Sequence, residues 1–323
     1  MAMSRAYFWR RVGYGLITLY VIITLNFVIF RIMPGDPVSL VLSPEFTPEV
    51  RQLLREQYGL DQPIMTQYWL YLKSMITLDF GRSFVTRQPV LDELLSRLPN
   101  TLMLLGTSFV LNVAIGIVLG VQMATRQGTR LETTITGISL FLNAMPAFFI
   151  GLLLLLVFGY YWPVFPIRGT MSVPPPTGFW AVVLDRIHHL VLPVTAVTLS
   201  GYGSWYLYTR NNVVGALGQD YVLTARAKGL TQREVLYRHA FRSVLPPIVT
   251  LVFLSLPGLI TGAVITETIF SLYGVGRYLV DATLQQDYPV VQGCFYIIAL
   301  AVLLCNLAAD LVYGLVDPRI RLR

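Results

Sequence analysis

The residues best suited to chemistry in this 323-residue sequence are two adjacent histidines and two cysteines. His188 and His189 are neighbours, and adjacent side chains on a helix point in different directions, so this pair does not favour a metal site. Cys294 and Cys305 are eleven residues apart, which on one helix is roughly 16 Å of rise and too far for a disulfide. Neither pair predicts a bound metal or a cross-link.

Other functional classes need residues that this sequence lacks or places elsewhere. An ATPase needs a phosphate loop with a Gly-Lys pair, and the sequence contains no such pair. An intramembrane enzyme needs paired acids, a Ser/His dyad or a metal cluster, and none is evident. A secondary transporter usually has an ionisable residue inside a span. Here Arg31, Glu267 and Asp310 lie towards the ends of apolar runs, and we interpret the two acids as end-capping or packing groups. This disfavours a secondary transporter but leaves it as an alternative.

The most informative polar segment, 219–246, lies between two apolar runs. A short helix is predicted from Tyr221 to Lys228, with Asp220 as its N-cap. Gly229 follows, at a position where a helix that stops and reverses commonly needs a left-handed backbone.

A second helix is predicted directly after that glycine. Thr231 and Glu234 have the spacing of a capping box. The helix is expected to continue until Pro246 and Pro247 begin the next apolar run. Two short helices hinged at a glycine form a compact projection, which we call the knob (residues 219–246). A projection of this size suits the cleft of a partner protein, although an ordinary basic loop that joins two spans is equally compatible with its composition.

The elements that position the knob are apolar segments long enough to cross a membrane. Hydrophobic residues make up 55% of the chain and charged residues 13%, whereas soluble domains carry about a quarter charged residues. A helix needs about 20 apolar residues to cross the hydrocarbon core. Six uncharged runs of 19 to 35 residues meet that length, and they are 12–30, 98–125, 133–167, 187–209, 243–266 and 288–309. The sequence therefore predicts an all-α integral membrane protein with six transmembrane helices.

The distribution of charge predicts the orientation. If the N-terminus is cytoplasmic and each run crosses once, the inside pieces hold 14 of the 24 Lys and Arg residues and four acids. The outside pieces hold nine basic residues and twelve acids. This is the positive-inside pattern, with both termini in the cytoplasm. The net charge of +7 is thus a topology signal, and no nucleic-acid partner is predicted.

The chain divides into four parts. The first run leads into Arg31 and a Pro-Gly-Asp-Pro stretch instead of a small-residue cleavage site, so it is interpreted as a retained anchor. The next segment contains two amphipathic helical patterns and is predicted to be a small external helical domain resting on the spans. The predicted divisions are 1–33 (N-terminus and first span), 34–97 (external domain), 98–316 (five spans and the knob) and 317–323 (cytoplasmic tail).

Several stretches resemble one family of membrane proteins. The knob sequence Asp220–Leu230, with Arg238–Arg242 and Leu245-Pro246, resembles the EAA coupling loop of binding-protein-dependent ABC importer permeases, and in particular the dipeptide/oligopeptide subfamily. It lacks the Glu that opens the EAA motif, as that subfamily does. Further matches occur in order along nearly the whole chain, at Pro34–Pro37, Tyr58–Pro63, Asp79–Ser83, Glu267–Phe270, Gly274–Gly276, Asp287–Pro289 and Asp317–Arg321.

The resemblance implies a type I importer permease in a bacterial inner membrane. It also implies a second, homologous permease that completes the path, two ATPase subunits that bind ATP and Mg²⁺, and an extracytoplasmic binding protein. No cofactor is expected in this chain. Dipeptides or oligopeptides are the expected substrates, with nickel chelates, glutathione or another small solute as alternatives, and no substrate-binding residue is assigned. The residues expected to couple to the ATPase are Asp220, Tyr221, Thr224, Ala225, Ala227, Lys228, Gly229, Leu230, Glu234 and His239.

Overall fold

The computed structural model of the protein describes residues 5–32, 61–261 and 264–316, and most of these residues are helical. The first of the two amphipathic patterns predicted within 34–97, which begins after Thr47, and the tail 317–323 lie outside them. The α-helices in these ranges are α1 (Arg5–Ile32), α2 (Ile64–Thr77), α3 (Val90–Ala124), α4 (Arg130–Ala144), α5 (Ala147–Leu154), α6 (Phe179–Leu217), α7 (Asp220–Ala227), α8 (Gln232–Glu234), α9 (Phe241–Thr261), α10 (Val264–Ile269), α11 (Val275–Leu284) and α12 (Tyr288–Val316).

The predicted all-α membrane architecture is confirmed. Five helical segments within the described ranges are long and apolar enough to cross a membrane, and they are Trp9–Ile29, Val90–Ala124, Phe179–Leu217, Gln232–Leu256 and Tyr288–Ala309. The remaining predicted run is the helix pair α4 and α5, which makes a sixth crossing if the pair is counted as one span.

The α4–α5 pair is bent by 99° at Met145 and Pro146. Met145 has an extended backbone with ψ of 133°, as expected for a residue that precedes proline. Pro146 then occupies the N-cap of α5, where its missing N–H leaves no hydrogen bond unmade. A π-helical segment, Leu155–Tyr161, continues α5 and ends in the adjacent aromatic residues Tyr160 and Tyr161, which Trp162 follows.

The centre of the bundle is the close packing of α3 against α6. Gly116 and Gly120 on α3 form a GxxxG pattern, which allows two membrane helices to approach closely. A Cβ at Gly116 would lie 2.8 Å from the Tyr206 backbone nitrogen, and one at Gly120 would lie 2.7 Å from Thr209 Cβ. Both contacts are shorter than real side chains allow, so α6 depends on these two glycines for its position.

The described part of the predicted external domain packs on the spans. Met75 and Phe80 share a buried cluster with Val90 and Leu94 of α3 and with Cys294 of α12. The helix α3 begins at Val90 and continues without a break into the membrane run. Residues 61–97 therefore share their core with the bundle.

Candidate functional site

The knob has the backbone features that its sequence predicts. Gly229 has φ of +77°, so the left-handed turn between the two helices is confirmed. The capping box is also confirmed, since the Glu234 amide donates to Thr231 Oγ1 at 3.3 Å and the Thr231 amide donates to Glu234 Oε2 at 3.0 Å. Each bond satisfies a backbone group that the helix start would otherwise leave unpaired.

Two local predictions in the knob are wrong. Asp220 is not the N-cap of α7 but its first residue; the N-cap is Gln219, whose side chain makes no capping bond. In the first turn the negative charge of Asp220 interacts favourably with the positive end of the helix dipole. The second helix also does not stop before Pro246, because a π-helical segment, Val235–Ala240, joins α8 to α9 and the helix continues through both prolines. Membrane helices tolerate internal prolines when neighbouring groups satisfy the freed carbonyls.

The knob is anchored to the ends of three spans. Val222 and Ala225 of α7 pack on the π-helical segment Val235–Ala240 and belong to a buried cluster that includes the end of α3, the end of α6 and the start of α9. Ala225 is only 3% exposed, so it belongs to the protein's own core and offers no surface to a partner. The full cluster comprises Val121, Ala124, Val213, Ala216, Val222, Ala225, Val235, Leu236, Ala240, Val244 and Ile248.

The other predicted coupling residues lie on or near the knob surface. The exposed ones are Asp220, Tyr221, Thr224, Ala227, Lys228 and Gly229, and the half-buried ones are Leu230, Glu234 and His239. Thus the structure brings nine of the ten predicted residues to the surface and turns the tenth inward.

The exposed knob surface combines apolar and basic side chains. Leu223 and Tyr237 are exposed large hydrophobic residues, and the basic residues Arg226, Lys228, Arg233 and Arg238 are exposed beside them. The Thr231 hydroxyl and amide donate to Glu234 Oε2 at 2.8 and 3.0 Å, and Arg238 lies 3.8 Å from the other carboxylate oxygen. The acid is thus held in its capping box, while the exposed apolar and basic side chains suit a protein partner with apolar and acidic groups.

A row of polar contacts, which we call the polar seam, joins α4 to α6. Four side chains spaced by three or four residues lie on one face of α4 and contact polar side chains of α6. The contacts are Glu132 with Arg210 (2.8 Å), Thr136 with Tyr206 (2.7 Å), Ser139 with Tyr202 (3.3 Å) and Asn143 with Ser204 (2.9 Å). The seam begins with a largely buried ion pair, since Glu132 and Arg210 are mostly removed from solvent.

A buried carboxylate joins α10 to α11. Glu267 is 1% exposed. It accepts a hydrogen bond from Thr101 Oγ1 at 2.6 Å and another from the Arg277 amide at 2.9 Å. The Val275 amide in turn donates to Thr101 Oγ1 at 2.9 Å. The expectation that Glu267 is a capping or packing group is confirmed, whereas the side chain of Asp310 lies outside the described residues.

A second buried carboxylate, Asp287, holds the turn that precedes α3. It accepts hydrogen bonds from the Ser83 hydroxyl at 2.5 Å and from the amides of Phe84 and Val85 at 3.0 and 3.3 Å. A carboxylate with several donors can remain buried at low cost. Asp287 therefore fixes the 83–85 turn on the start of α12.

Comparison with known proteins decides the family. The model of the binding-protein-dependent transport system inner membrane component family matches residues 116–322, and the model of the N-terminal part of such membrane components matches residues 3–105. The chain belongs to this family. It is the membrane-spanning permease component of an ABC importer.

Individual relatives cover nearly the whole permease. The oligopeptide transport system permease protein AppB of Bacillus subtilis is 38% identical over 316 residues, covering 98% of this chain and 99% of the relative. The dipeptide transport system permease protein DppB of Escherichia coli K12 is 36% identical over 330 residues, covering 97% of each chain. The glutathione transport system permease protein GsiC of the same strain is 36% identical over 313 residues, covering 95% and 96%.

The structure gives physical roles to the stretches that carried the resemblance. Residues 79–83 and 287–289 meet at the Asp287 carboxylate. Residues 267–270 and 274–276 meet at Glu267, where a Cβ on Gly276 would lie 2.9 Å from Glu267 Oε2. In this permease the second glycine therefore leaves room for the carboxylate.

Sequence reasoning missed the polar seam. Its signal was present, because Glu132, Thr136, Ser139 and Asn143 form a single polar stripe at helical spacing along an apolar run. Arg210 had been counted only as one of the inside basic residues, since nothing in the sequence shows which helix lies beside it.

Substituting Gly276 by alanine is expected to destabilise the permease. The added Cβ would lie 2.9 Å from Glu267 Oε2 and 2.8 Å from Val264 Cα, and overpacking of this kind costs about 1–3 kcal/mol. The loss is measured as a lower melting temperature of the purified protein in nanodiscs. Gly106→Ala is the matched control, because within the described residues the added Cβ would have no neighbour within 4 Å outside its own stretch of helix. Equal melting temperatures for the two variants would contradict the role of Gly276.

Proposed function

We propose that this permease forms, with a second homologous permease, a path for dipeptides or oligopeptides delivered by an extracytoplasmic binding protein. Two separate ATPase subunits bind ATP and Mg²⁺ and receive the knob of each permease. The peptide assignment is supported by relatives whose names refer to oligopeptide and dipeptide transport. Relatives named for glutathione transport keep that tripeptide as a second candidate.

The observation that carries the proposal is the attachment of the knob. Its inner face is buried on the ends of α3, α6 and α9, while its outer face exposes apolar and basic groups. Because the knob and the three spans share a buried core, a displacement of the knob by a partner also displaces the spans. The knob therefore suits the transmission of force from an ATPase to the membrane helices.

The proposed orientation places the knob and both termini in the cytoplasm. It is supported by the excess of Lys and Arg in the inside segments. Three exposed aromatic residues follow α5 at the C-terminal end of the bent pair, and they are Tyr160, Tyr161 and Trp162. This agrees with an aromatic belt at the outer interface. Catalysis of ATP hydrolysis is assigned to other subunits because this sequence has no Gly-Lys pair.

The buried carboxylates favour this mechanism over ion-coupled transport. An ion-coupled transporter needs an acid that exchanges protons or cations with water during the cycle. Glu132, Glu267 and Asp287 each have protein partners within the described residues, namely Arg210, Thr101 and Ser83. Their hydrogen bonds serve helix packing.

The test is uptake into proteoliposomes that contain the purified transporter, assembled from both permeases and its ATPases. The binding protein and radiolabelled dialanine or trialanine are added outside, and ATP or a non-hydrolysable analogue is enclosed inside. We expect peptide to accumulate only with hydrolysable ATP. Unlabelled glutathione as a competitor distinguishes the second candidate. Accumulation driven by a proton or sodium gradient without ATP would contradict the proposal.

A further inference from the structure

The helix α2 lies beside the apolar part of α1. The hydroxyls of Tyr68 and Thr24 are 2.8 Å apart, and the ring of Phe27 lies 5.3 Å from that of Tyr68 and 5.4 Å from that of Tyr71. Thr24 is seven residues before Arg31, the charge that ends the first apolar run, which on a helix is roughly 10 Å. Phe27 is four residues before Arg31, so these contacts place α2 beside the last part of the apolar run of α1, roughly 6 to 10 Å from its charged end.

The exposed side of α2 carries large hydrophobic residues beside Thr66, Lys73 and Thr77. Met65, Trp69 and Ile76 are 64%, 61% and 68% exposed, although they are large hydrophobic side chains. The helix contains no acid, and its only charge is Lys73, whose long stem can place the ammonium group at a headgroup. The exposed face continues the exposed apolar residues of α1, which at this level are Leu25, Val28 and Ile29.

Backbone carbonyls at both ends of α2 have hydrogen-bond partners. The Gln67 side chain donates to the Gln62 carbonyl at 2.6 Å at the first turn. At the other end the Asp79 amide donates to the Ser74 carbonyl at 2.9 Å. Backbone groups at a membrane boundary need partners of this kind, because lipid tails supply none.

We infer that α2 is an amphipathic helix whose exposed face, Met65, Trp69 and Ile76, is embedded in lipid at the boundary of headgroups and acyl chains. Its opposite face packs on α1 and the core. Such helices bury their apolar face about 5–10 Å below the headgroups. Lipid is favoured over a protein partner because the face continues that of α1, lies at membrane depth and contains a single cation and no acid. The inference is independent of the transported solute.

The test places an environment-sensitive fluorophore on this face in the full-length permease. Met65→Cys and Trp69→Cys are labelled in a Cys305→Ser background, since the remaining Cys294 is buried. Gln285→Cys, an exposed position after α11, is the matched control. Each protein is assembled with its partner subunits in nanodiscs. Quenching is measured with nitroxide-labelled lipid and with aqueous iodide.

We expect nitroxide lipid to quench positions 65 and 69 about threefold more strongly than position 285, and iodide to show the opposite order. Iodide quenching at 65 and 69 equal to that at 285 would show a water-exposed helix and overturn the inference. Weak quenching by both reagents at 65 and 69 would show that protein covers the face, and would overturn it too. Neither result bears on ATP-driven uptake, so the proposed function is tested separately.

Discussion

Replacing Arg210 with glutamine is expected to reduce strongly the amount of folded permease in the membrane. Arg210 Nε donates to Glu132 Oε1 at 2.8 Å, and the Glu132 side chain is largely buried in the polar seam. Removing one partner of a buried ion pair leaves an uncompensated charge and costs about 3–5 kcal/mol. We expect a loss of stability of about 3 kcal/mol, at the lower limit of this range, because Arg210 keeps partial access to solvent.

The double variant Glu132→Gln/Arg210→Gln tests whether the loss arises from the pair itself. With both charges gone, two amides remain that can bond to each other, so recovery of most of the stability is expected. Arg126→Gln is the control, since it removes an exposed charge a few residues before α4. The readouts are folded yield and melting temperature in nanodiscs. A double variant as unstable as Arg210→Gln would contradict direct coupling between the two residues.

The polar seam also shows why some structural features can be predicted from local sequence patterns and others cannot. Pro146, Gly229 and the Thr231–Glu234 box act through neighbouring backbone, so their effects were predictable from short spacing. The bonds Glu132–Arg210 and Thr101–Glu267 join residues that are 78 and 166 positions apart. Such pairs depend on which helices are neighbours, and apolar runs of similar length do not encode that order.

The two alanines of α7 illustrate the same limit inside the knob. Ala225 and Ala227 are two positions apart, so they lie on nearly opposite faces of the helix. Both are small, and small residues suit either a close contact with a partner or packing on the protein's own core. The structure buries Ala225 and exposes Ala227. Which alanine is buried depends on the position of the apolar cluster that includes Val213 and Val235. This cluster lies on the Ala225 side of α7.

This placement decides which substitutions probe ATPase docking. Ala225→Trp would insert a large ring into the buried cluster and disturb the knob itself. Ala227→Trp adds the same ring at an exposed position, where it blocks close approach of a partner without disturbing the core. We therefore expect only Ala227→Trp to yield a well-folded permease that binds its ATPase weakly, as measured by co-purification. Equal folding of both variants would contradict the burial of Ala225.

Gly229→Val is expected to separate membrane insertion from coupling. Gly229 has φ of +77°, and among the described residues an added Cβ would meet nothing within 4 Å beyond its chain neighbours. The penalty therefore comes from the backbone conformation. A non-glycine residue in this region costs roughly 1–2 kcal/mol, and a β-branched one more. Val222 and Ala225 still anchor α7, so the spans should insert and pair normally. Docking of the ATPase should weaken roughly fivefold to thirtyfold, with a matching loss of ATP-driven uptake.

Gly229→Asn is the matched comparison, because asparagine adopts the left-handed conformation more readily than other non-glycine residues. Binding of the ATPase and uptake should therefore decrease in the order glycine, asparagine, alanine, valine, while the amount of inserted permease stays constant across the series. A valine variant that transports at the wild-type rate would show that the knob is not the coupling element. A valine variant that fails to accumulate would show that the left-handed turn is required for folding, and the knob would then be a structural connection between α6 and α9.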